Sequence, residues 1–267
     1  MQTVVVKIGG SLAGGHLNVL AEAMTALLED GAGIVLVHGG GPRISDALRQ
    51  QRLEMPWFDG QRVTSVDAVH VVQDVLCRQV NAELTRSLAD GGIPAHGVCG
   101  ADGVITGMLF PKLKRTADVK EVNVHKLTAM LQHREVPVVA PVGRAEDGGF
   151  CNINADLAAA SIAKALQAER LIFLTDVDGI YYDWDKQKKL EDVHAQELLR
   201  WLEKGAFASG MIPKVRAVLR ALGGSVESAY VVNGSNAKTV MGAALTSEQG
   251  TWSFAGGTRI LNARRRK

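Results

Sequence analysis

The chain has 267 residues, of which 46% are apolar, 30 are Lys or Arg and 28 are Asp or Glu. This length suits one large domain or two lobes with a substantial core, and the apolar share argues against disorder. The net charge of +2 is too small for a nucleic-acid-binding surface. It is also unevenly placed, because the basic residues 264–267 leave the rest of the chain at −2.

The three cysteines, Cys77, Cys99 and Cys151, are an odd number, lie far apart and include no Cys-x-x-Cys pair. This pattern excludes a disulfide-rich scaffold and argues against a zinc site. The apolar run before Lys7 is too short for a signal peptide, and no stretch reaches the roughly 18 apolar residues of a membrane span. We therefore expect a soluble, cytoplasmic protein of a reducing compartment, with no membrane or nucleic-acid partner.

Short β-branched runs alternate with helical patterns along the chain. Apolar residues at consecutive positions are typical of strands that are buried on both faces of a parallel sheet. Because helical patterns separate these runs, we expect an α/β fold, a three-layer αβα sandwich with a mainly parallel central sheet. The predicted strands are residues 3–6, 34–37, 95–98, 136–139, 171–174 and 230–232, and the clearest helices are residues 17–29, 155–168 and 211–222.

Polar turn residues mark two interruptions in this alternation. Residues 146–150 contain Glu-Asp-Gly-Gly after a predicted strand, which predicts a boundary between an N-lobe of residues 1–148 and a C-lobe of residues 149–267. The charged run 183–189 predicts an exposed hairpin or connection.

Two glycine clusters follow the first two predicted strands. Gly9 and Gly10 come after Lys7, and the glycines 39–41 come after His38. Glycine lets backbone N–H groups approach an anion closely, and a following helix N-terminus favours negative charge. Ordinary tight turns would explain one cluster, but two at consecutive strand ends favour a ligand site at the carboxyl edge of the sheet. The P-loop and dinucleotide-binding fingerprints are both missing, which disfavours a P-loop ATPase and a Rossmann dehydrogenase.

A third cluster precedes the alanine-rich predicted helix. Asn152 and Asn154 alternate with Ile153, so their amides could point to one side and bind a carboxylate or an amide. Asp156 would lie in the first turn of the helix. Taken alone, it is better explained as a helix cap than as a catalytic group.

Two more clusters lie near predicted strand and helix ends. Residues 174–179 carry two carboxylates and a turn glycine, which either an Asx turn or a metal or ribose contact would explain. Lys214 begins a helix, where positive charge is unfavourable for the dipole unless a polyanion lies nearby.

Together these parts are compatible with phosphoryl transfer, which needs in-line reactants and positive charge more than covalent help. Lys7 and Lys214 supply charge, the glycine-rich turns supply N–H groups, and Asp156 supplies an orienting carboxylate. Holding the reactants in line could contribute about 7–11 kcal/mol.

Six segments, in this order, resemble the amino-acid kinase family. They are Lys-Ile-Gly-Gly-Ser from Lys7, Val-His-Gly-Gly-Gly-Pro from Val37, Gly-Gln-Arg-Val-Thr from Gly60, Asn-Ile-Asn-Ala-Asp from Asn152, Leu-Thr-Asp-Val-Asp-Gly from Leu174 and Ser-Gly-Met-Ile-Pro-Lys from Ser209. Their order and the Arg62 segment look like the members that use ATP to phosphorylate the side-chain carboxylate of N-acetyl-L-glutamate in arginine biosynthesis. The resemblance runs from residue 4 to about residue 260. It implies an N-lobe that binds the acyl amino acid and a C-lobe that binds the nucleotide.

The resemblance also implies a role for each matching residue. Lys7 and Lys214 would stabilise the phosphoryl group in transfer, and Asp156 would hold both lysines. Gly9 and Gly10 would contact this group through their N–H groups. The residues implied for the acyl amino acid are Gly40, Gly41, Arg62, Asn152 and Asn154, with Arg62 on a carboxylate. Those implied for the nucleotide are Thr175, Asp176, Gly179 and Met211, with Mg²⁺ carried by the ATP phosphates rather than by protein ligands.

Three positions depart from the family pattern. Ser209 stands where the family commonly has glycine, and Cys99 stands where it often has serine. Ser65 stands directly after Arg-Val-Thr, where an acidic residue is frequent. None of these removes a catalytic group. The chain also begins at its first strand, whereas arginine-inhibited members usually carry an N-terminal helix that builds a hexamer. The resemblance therefore implies an arginine-insensitive homodimer.

Two alternatives stay open from the sequence. One is a kinase for an aminoadipate derivative, because discriminating a single methylene is worth only about 1–3 kcal/mol. If that acceptor is presented on a carrier protein, the basic run at Lys112, Lys114 and Arg115 would suit docking, although a solvated hairpin explains it as well. The other is a non-catalytic amino-acid-binding module, which would have lost Lys7, Lys214 or Asp156.

Overall fold

A computed structural model describes residues 1–10, 17–58, 60–208, 210–246 and 254–262. Ser11, Ser209 and the basic residues 264–267, which the sequence analysis singled out, lie outside this described part. The strands of the described residues, in chain order, are β1 (Thr3–Ile8), β2 (Gly33–His38), β3 (Trp57–Phe58), β4 (Gln61–Arg62), β5 (Ala95–Cys99), β6 (Ile105–Leu109), β7 (Thr116–Val122), β8 (Val136–Ala140), β9 (Val142–Ala145), β10 (Phe150–Ile153), β11 (Arg170–Thr175), β12 (Ile180–Asp183), β13 (Lys188–Leu190), β14 (Asp192–His194), β15 (Ser228–Asn233) and β16 (Thr258–Leu261). The α-helices are α1 (Leu17–Glu29), α2 (Gly41–Gln50), α3 (Val66–Gln73), α4 (Asn81–Asp90), α5 (His125–Gln132), α6 (Ala155–Ala165), α7 (Ala195–Glu203), α8 (Ile212–Leu222) and α9 (Ala237–Leu245), and a π-helix, Asp74–Val80, joins α3 to α4.

The central layer is an eight-stranded sheet in the order β14-β16-β15-β11-β1-β2-β8-β5. Neighbouring strands pair in parallel except β15 with β16. All six strands predicted from β-branched runs belong to this sheet. The prediction of a mainly parallel central sheet is therefore confirmed.

Helices cover both faces of the sheet, as the uninterrupted apolar strands require. Within β1, Val4 and Val6 belong to the core beneath α1, α4 and α9, while Val5 belongs to the core beneath α5, α6 and α8. Because side chains alternate between the faces of a strand, both faces must be apolar when both are covered. The chain is thus a three-layer αβα sandwich, as predicted.

Several smaller elements were not predicted. Strands β6, β7, β9 and β10 close into a small barrel, and β3 and β4 form a two-stranded hairpin. These strands lack the continuous β-branched runs that mark the buried sheet. The pairing of β12 with β13 confirms the hairpin predicted over residues 183–189. The predicted lobe boundary at residue 148 lies in the connection between β9 and β10, and the division into two lobes stays a prediction.

Cys77 in the π-helix and Cys99 at the end of β5 form a disulfide, whereas Cys151 is a buried free thiol. The sequence pattern excluded a disulfide-rich scaffold, and a single bridge is not such a scaffold. The pairing itself was not foreseen, because only the fold brings together two residues that are 22 positions apart in sequence. Of the helices in the described ranges, none combines the length and apolarity that a bilayer-spanning segment requires.

Candidate active site

Two lysines from distant parts of the chain converge on Asp156. Lys7 lies in β1, and its Nζ is 2.7 Å from Asp156 Oδ1. Lys214 lies in the first turn of α8, and its Nζ is 3.1 Å from Asp156 Oδ2. All three side chains are nearly buried. The three charges sum to one positive charge at the end of β1.

The electrostatics keep Asp156 ionised. Burial alone would raise the pKa of its carboxyl, but Lys214 and Lys7 outweigh this effect and hold the pKa well below its usual range. Burial lowers the pKa of Lys214, and the charge of Asp156 opposes that change. Asp156 is therefore a poor proton acceptor and acts as an anchor for the two ammonium groups.

The prediction that Asp156 caps the helix is wrong, because Asn154, two residues earlier, is the cap. Asn154 is the N-cap of α6, and its Oδ1 accepts hydrogen bonds from the backbone N–H groups of Asp156 at 2.8 Å and Leu157 at 3.2 Å. The cap satisfies backbone donors that a helix start leaves unpaired. It leaves the Asp156 side chain available to the lysines.

The two glycine-rich turns lie against each other beside this triad. Gly39 donates its N–H to the carbonyl of Ile8 at 3.0 Å, and a Cβ on Gly10 would lie 3.0 Å from both Gly40 N and Gly41 N. Only glycine at position 10 allows this backbone approach. Gly40 is the N-cap of α2 and Gly41 is its first residue, so the helix itself does not use their N–H groups.

Gly9 does not fit the role that was predicted for it. Its N–H is donated to the carbonyl of Leu174 at 3.2 Å, which extends the pairing of β1 with β11. That donor is therefore committed to the sheet. At this turn, Gly10 is the residue that lines the site.

Arg62 lies on the β3–β4 hairpin and reaches toward the second glycine turn. Its Nη2 donates to Gly41 O at 3.1 Å and to Ser45 Oγ at 2.8 Å, and its guanidinium lies 4.5 Å from the ring centroid of Trp57. Burial lowers the pKa of Arg62. Within the described ranges it forms no ion pair with an acidic side chain, so a carboxylate ligand would complete its environment.

A directed hydrogen-bond chain fixes this hairpin to the barrel. The Thr116 hydroxyl donates to Arg62 O at 2.5 Å, which leaves Thr64 to donate to Thr116 Oγ1 at 2.8 Å. Asn152 then donates through Nδ2 to Thr64 Oγ1 at 3.1 Å. Sequence reasoning did not assign Thr64 or Thr116, and the only signal was that Thr64 belongs to the Arg-Val-Thr segment.

These groups surround a cavity of about 210 Å³. That is smaller than a typical drug-sized site and suits a small metabolite. Gln61 also lines it, and Gln61 Oε1 is a buried acceptor with no hydrogen-bond partner among the described atoms. Of the predicted residues, the cavity brings together Lys7, Gly10, Gly40, Gly41, Arg62, Asn152 and Asn154.

The predicted nucleotide residues are not among those lining this cavity. Thr175 ends β11, and its hydroxyl donates to Asp176 at 3.1 Å. The charge of Asp176 partly opposes the lowering of the Lys214 pKa that burial causes. Met211 is the N-cap of α8. Gly179 directly precedes β12. Thr175 and Asp176 therefore lie at the carboxyl edge of the sheet, and Met211 lies at the start of the helix that carries Lys214.

Comparison with known proteins assigns this chain to a family. The model of the amino acid kinase family matches residues 2–233 of the chain. The chain belongs to the amino acid kinase family. The acetylglutamate kinase of Caldicellulosiruptor bescii is 37% identical over 245 residues, which cover 87% of this chain and 83% of that protein. The acetylglutamate kinase of Brevibacillus brevis is 37% identical over 253 residues, which cover 93% of this chain and 95% of that protein.

Solved structures agree with the amino acid kinase fold. The protein smu.665 from Streptococcus mutans superposes with a TM-score of 0.81 at 24% identity, covering 97% of this chain and 98% of that one. The N-acetylglutamate synthase from Neisseria gonorrhoeae, solved with coenzyme A and N-acetyl-glutamate, gives the same TM-score and identity over 97% of this chain and 59% of that one. At these identities the likeness shows the fold alone.

Proposed function

We propose that this chain transfers the γ-phosphoryl group of ATP to the side-chain carboxylate of N-acetyl-L-glutamate, giving N-acetylglutamyl 5-phosphate and ADP. The observation that carries the proposal is the Lys7–Asp156–Lys214 triad, of which Lys7 lines the cavity that Arg62 also lines. Two ammonium groups suit the charge of a transferring phosphoryl group, and the half-buried guanidinium of Arg62 suits a carboxylate. The relatives named acetylglutamate kinase support the choice of acceptor.

The protonation states favour a carboxylate acceptor. In the transfer, a new bond forms between a carboxylate oxygen and the γ-phosphorus, while the bond from that phosphorus to the β–γ bridging oxygen breaks. A carboxylate is already anionic at neutral pH, so no base needs to remove a proton. Asp156 is held ionised between two lysines, and such an anchor suits a reaction without a general base.

The acceptor would be held at both of its ends. Arg62 would bind the α-carboxylate, and Asn152 would bind polar atoms next to it. Gln61 Oε1, a buried acceptor at the cavity, would take the N–H of the acylated nitrogen. The Gly40 and Gly41 N–H groups would then face the reacting side-chain carboxylate.

The nucleotide would lie on the α8 side of the lysines, against Thr175, Asp176, Gly179 and Met211. Lys7, Lys214 and the Gly10 N–H would contact the transferred group. No set of three or more His, Cys, Asp or Glu side chains in the described ranges is arranged to hold a metal. As the family resemblance implies, Mg²⁺ would be bound to the ATP phosphates, where it would neutralise charge on them.

Of the basic run that a carrier-bound aminoadipate derivative would use, Lys112 and Lys114 are exposed and Arg115 is not. Arg115 donates to Asp147 through Nη1 at 2.5 Å and Nη2 at 3.1 Å, and through Nε to the carbonyl of Phe150. It is thus engaged within the barrel rather than presented to a carrier protein. For the enzyme we also propose a cytoplasmic location, since the relatives it resembles are biosynthetic.

A coupled ADP-release assay tests the reaction. N-acetyl-L-glutamate should support the highest kcat/KM in a set that also contains glutamate, aspartate, N-acetylaminoadipate and UMP. Faster turnover of N-acetylaminoadipate would favour the alternative acceptor. A complete lack of stimulation by N-acetyl-L-glutamate would refute the proposal.

The Arg62→Ala variant tests where the acceptor carboxylate binds. Removing one partner of a buried, charge-assisted pair costs about 2–5 kcal/mol, and Arg62 is half-buried, so the low end of that range applies. KM for the acceptor should therefore rise about 30-fold while KM for ATP stays unchanged. Arg49→Ala is the matched control, because Arg49 is exposed on α2. An unchanged acceptor KM in Arg62→Ala would show that the carboxylate binds elsewhere.

A further inference from the structure

His38 is a buried histidine that the phosphoryl-transfer scheme leaves without a role. It is the last residue of β2, it is fully buried, and it directly precedes the glycine turn at the cavity. Its Nδ1 lies 3.0 Å from Gly39 O, and its Nε2 lies 3.1 Å from Asn81 Nδ2. Both ring nitrogens are therefore engaged.

The neighbours of the ring determine its tautomer. Asn81 Nδ2 lies 2.7 Å from the carbonyl oxygen of Val138, which can only accept, so this atom must be the amide nitrogen. Its second hydrogen points to His38 Nε2, which must then be unprotonated. A neutral ring consequently carries its proton on Nδ1 and donates it to Gly39 O.

The fold encloses this network tightly. A Cβ on Gly97 of β5 would overlap Asn81 Oδ1, so the strand leaves room for this amide only because it has glycine there. Burial lowers the pKa of His38 from 6.5 to about 4, which keeps the ring neutral near pH 7. The Asn81–His38 pair is thus held in one hydrogen-bonding arrangement.

The Gly39 carbonyl belongs to the same peptide group as the Gly40 N–H. In a planar trans peptide the C=O and N–H bonds point in opposite directions, so fixing the oxygen also aims the N–H. Gly40 N lies close to Gly10, and both residues line the cavity. The imidazole therefore controls the direction of the Gly40 N–H, which under the proposed function binds the acceptor substrate.

We propose that His38 is a positioning residue for phosphoryl transfer, in which its Nδ1-protonated imidazole orients the Gly39–Gly40 peptide so that the Gly40 N–H meets the acceptor carboxylate. The role rests on the proposed function for the identity of the acceptor. The tautomer does not depend on that function.

Kinetics of three variants test the role. His38→Leu removes the donor, His38→Asn retains an N–H near the position of Nδ1, and Val37→Ala perturbs the neighbouring buried position without touching the donor. We expect His38→Leu to raise the KM for N-acetyl-L-glutamate about tenfold or more with KM for ATP unchanged. His38→Asn should return the acceptor KM to within about threefold of the wild type, and Val37→Ala should leave it unchanged. Wild-type acceptor KM in His38→Leu, or the same increase in all three variants, would overturn the role.

Nuclear magnetic resonance of protein labelled with ¹⁵N-histidine supplies a readout that does not require activity. Long-range ¹H–¹⁵N correlations should show His38 protonated on Nδ1 and not titrating between pH 8 and pH 5.5, and Asn81→Leu should remove the single-tautomer pattern. An Nε2-protonated ring in the wild type would overturn the inference even if His38→Leu fails to fold. If the wild type does not phosphorylate N-acetyl-L-glutamate, the proposed function fails, while the tautomer experiment still decides the geometry.

Discussion

At the residue scale, the site consists of a few buried charged groups, each with a small number of partners. Asp156 is the anchor, and both lysines depend on it for their direction. Residue patterns placed Lys7 in a strand and Lys214 at the start of a helix, and only the family resemblance implied that the two lysines meet at Asp156. That meeting depends on the packing of α6 and α8 on one face of the sheet.

Removing either lysine should mainly slow the chemical step. A group that acts on charge developing in the transition state contributes about 10²–10³ to kcat, so Lys7→Ala and Lys214→Ala should each lower kcat by about that factor. Steady-state kinetics with both substrates varied will measure this. Lys126→Ala, which changes an exposed lysine on α5, is the control. A change confined to KM would show that the lysines bind the ground state only.

The buried His38 should make stability depend on pH in the mildly acidic range. Its pKa is about 4 in the folded chain against 6.5 for an ordinary histidine, so below pH 6.5 the unfolded chain binds a proton that the folded chain does not. Stability is complete above pH 6.5 and falls as the pH decreases toward 4, by up to about 3 kcal/mol. Urea unfolding at pH 7 and pH 4.5 will measure this for the wild type and for His38→Asn. An equal loss in both proteins would contradict it.

At the element scale, an ion pair and a disulfide hold the elements of the site in place. Arg220 of α8 donates through Nη1 at 2.5 Å and Nη2 at 2.7 Å to the Asp118 carboxylate of β7, which ties the helix that carries Lys214 to the barrel. The Cys77–Cys99 disulfide joins the π-helix to the end of β5. Leu76, next to Cys77, lines the cavity, so this connection also supports the acceptor site.

Reducing the disulfide should destabilise the chain. Closing a loop of about 22 residues stabilises a fold by about 3 kcal/mol in the chain-entropy model, so reductant should lower the melting temperature of the wild type. A Cys77→Ser, Cys99→Ser double variant should melt at the lower temperature with or without reductant. Cys151→Ser, which changes the buried free thiol, should keep the sensitivity to reductant. A wild-type melting temperature that does not respond to reductant would contradict the prediction.

At the scale of the whole molecule, the site draws on both halves of the chain. β1 and β2 supply Lys7 and the glycine turns, while α6 and α8 supply Asp156 and Lys214. Parallel strands deliver their carboxyl ends to one edge of the sheet, so segments that are distant in sequence become neighbours there.

The homodimer inferred from the family resemblance remains a prediction. Sedimentation at several concentrations should give twice the 28.5 kDa mass of the chain, and L-arginine should leave the activity unchanged. A hexamer, or inhibition by arginine, would contradict the prediction.

The sequence by itself determined the sandwich, and it predicted residues that the structure places around one cavity. Continuous β-branched runs require a sheet covered on both faces, and Lys7, Arg62 and Asp156 stand in segments whose order resembles one family. Only the tertiary structure decided which groups these residues contact. In the folded chain Asn154 is the helix cap, and the Gly9 N–H donates to the carbonyl of Leu174. Cys77 and Cys99 form a disulfide. These outcomes depend on which donors and acceptors meet in space, and that information is long-range, whereas strand and helix patterns are local.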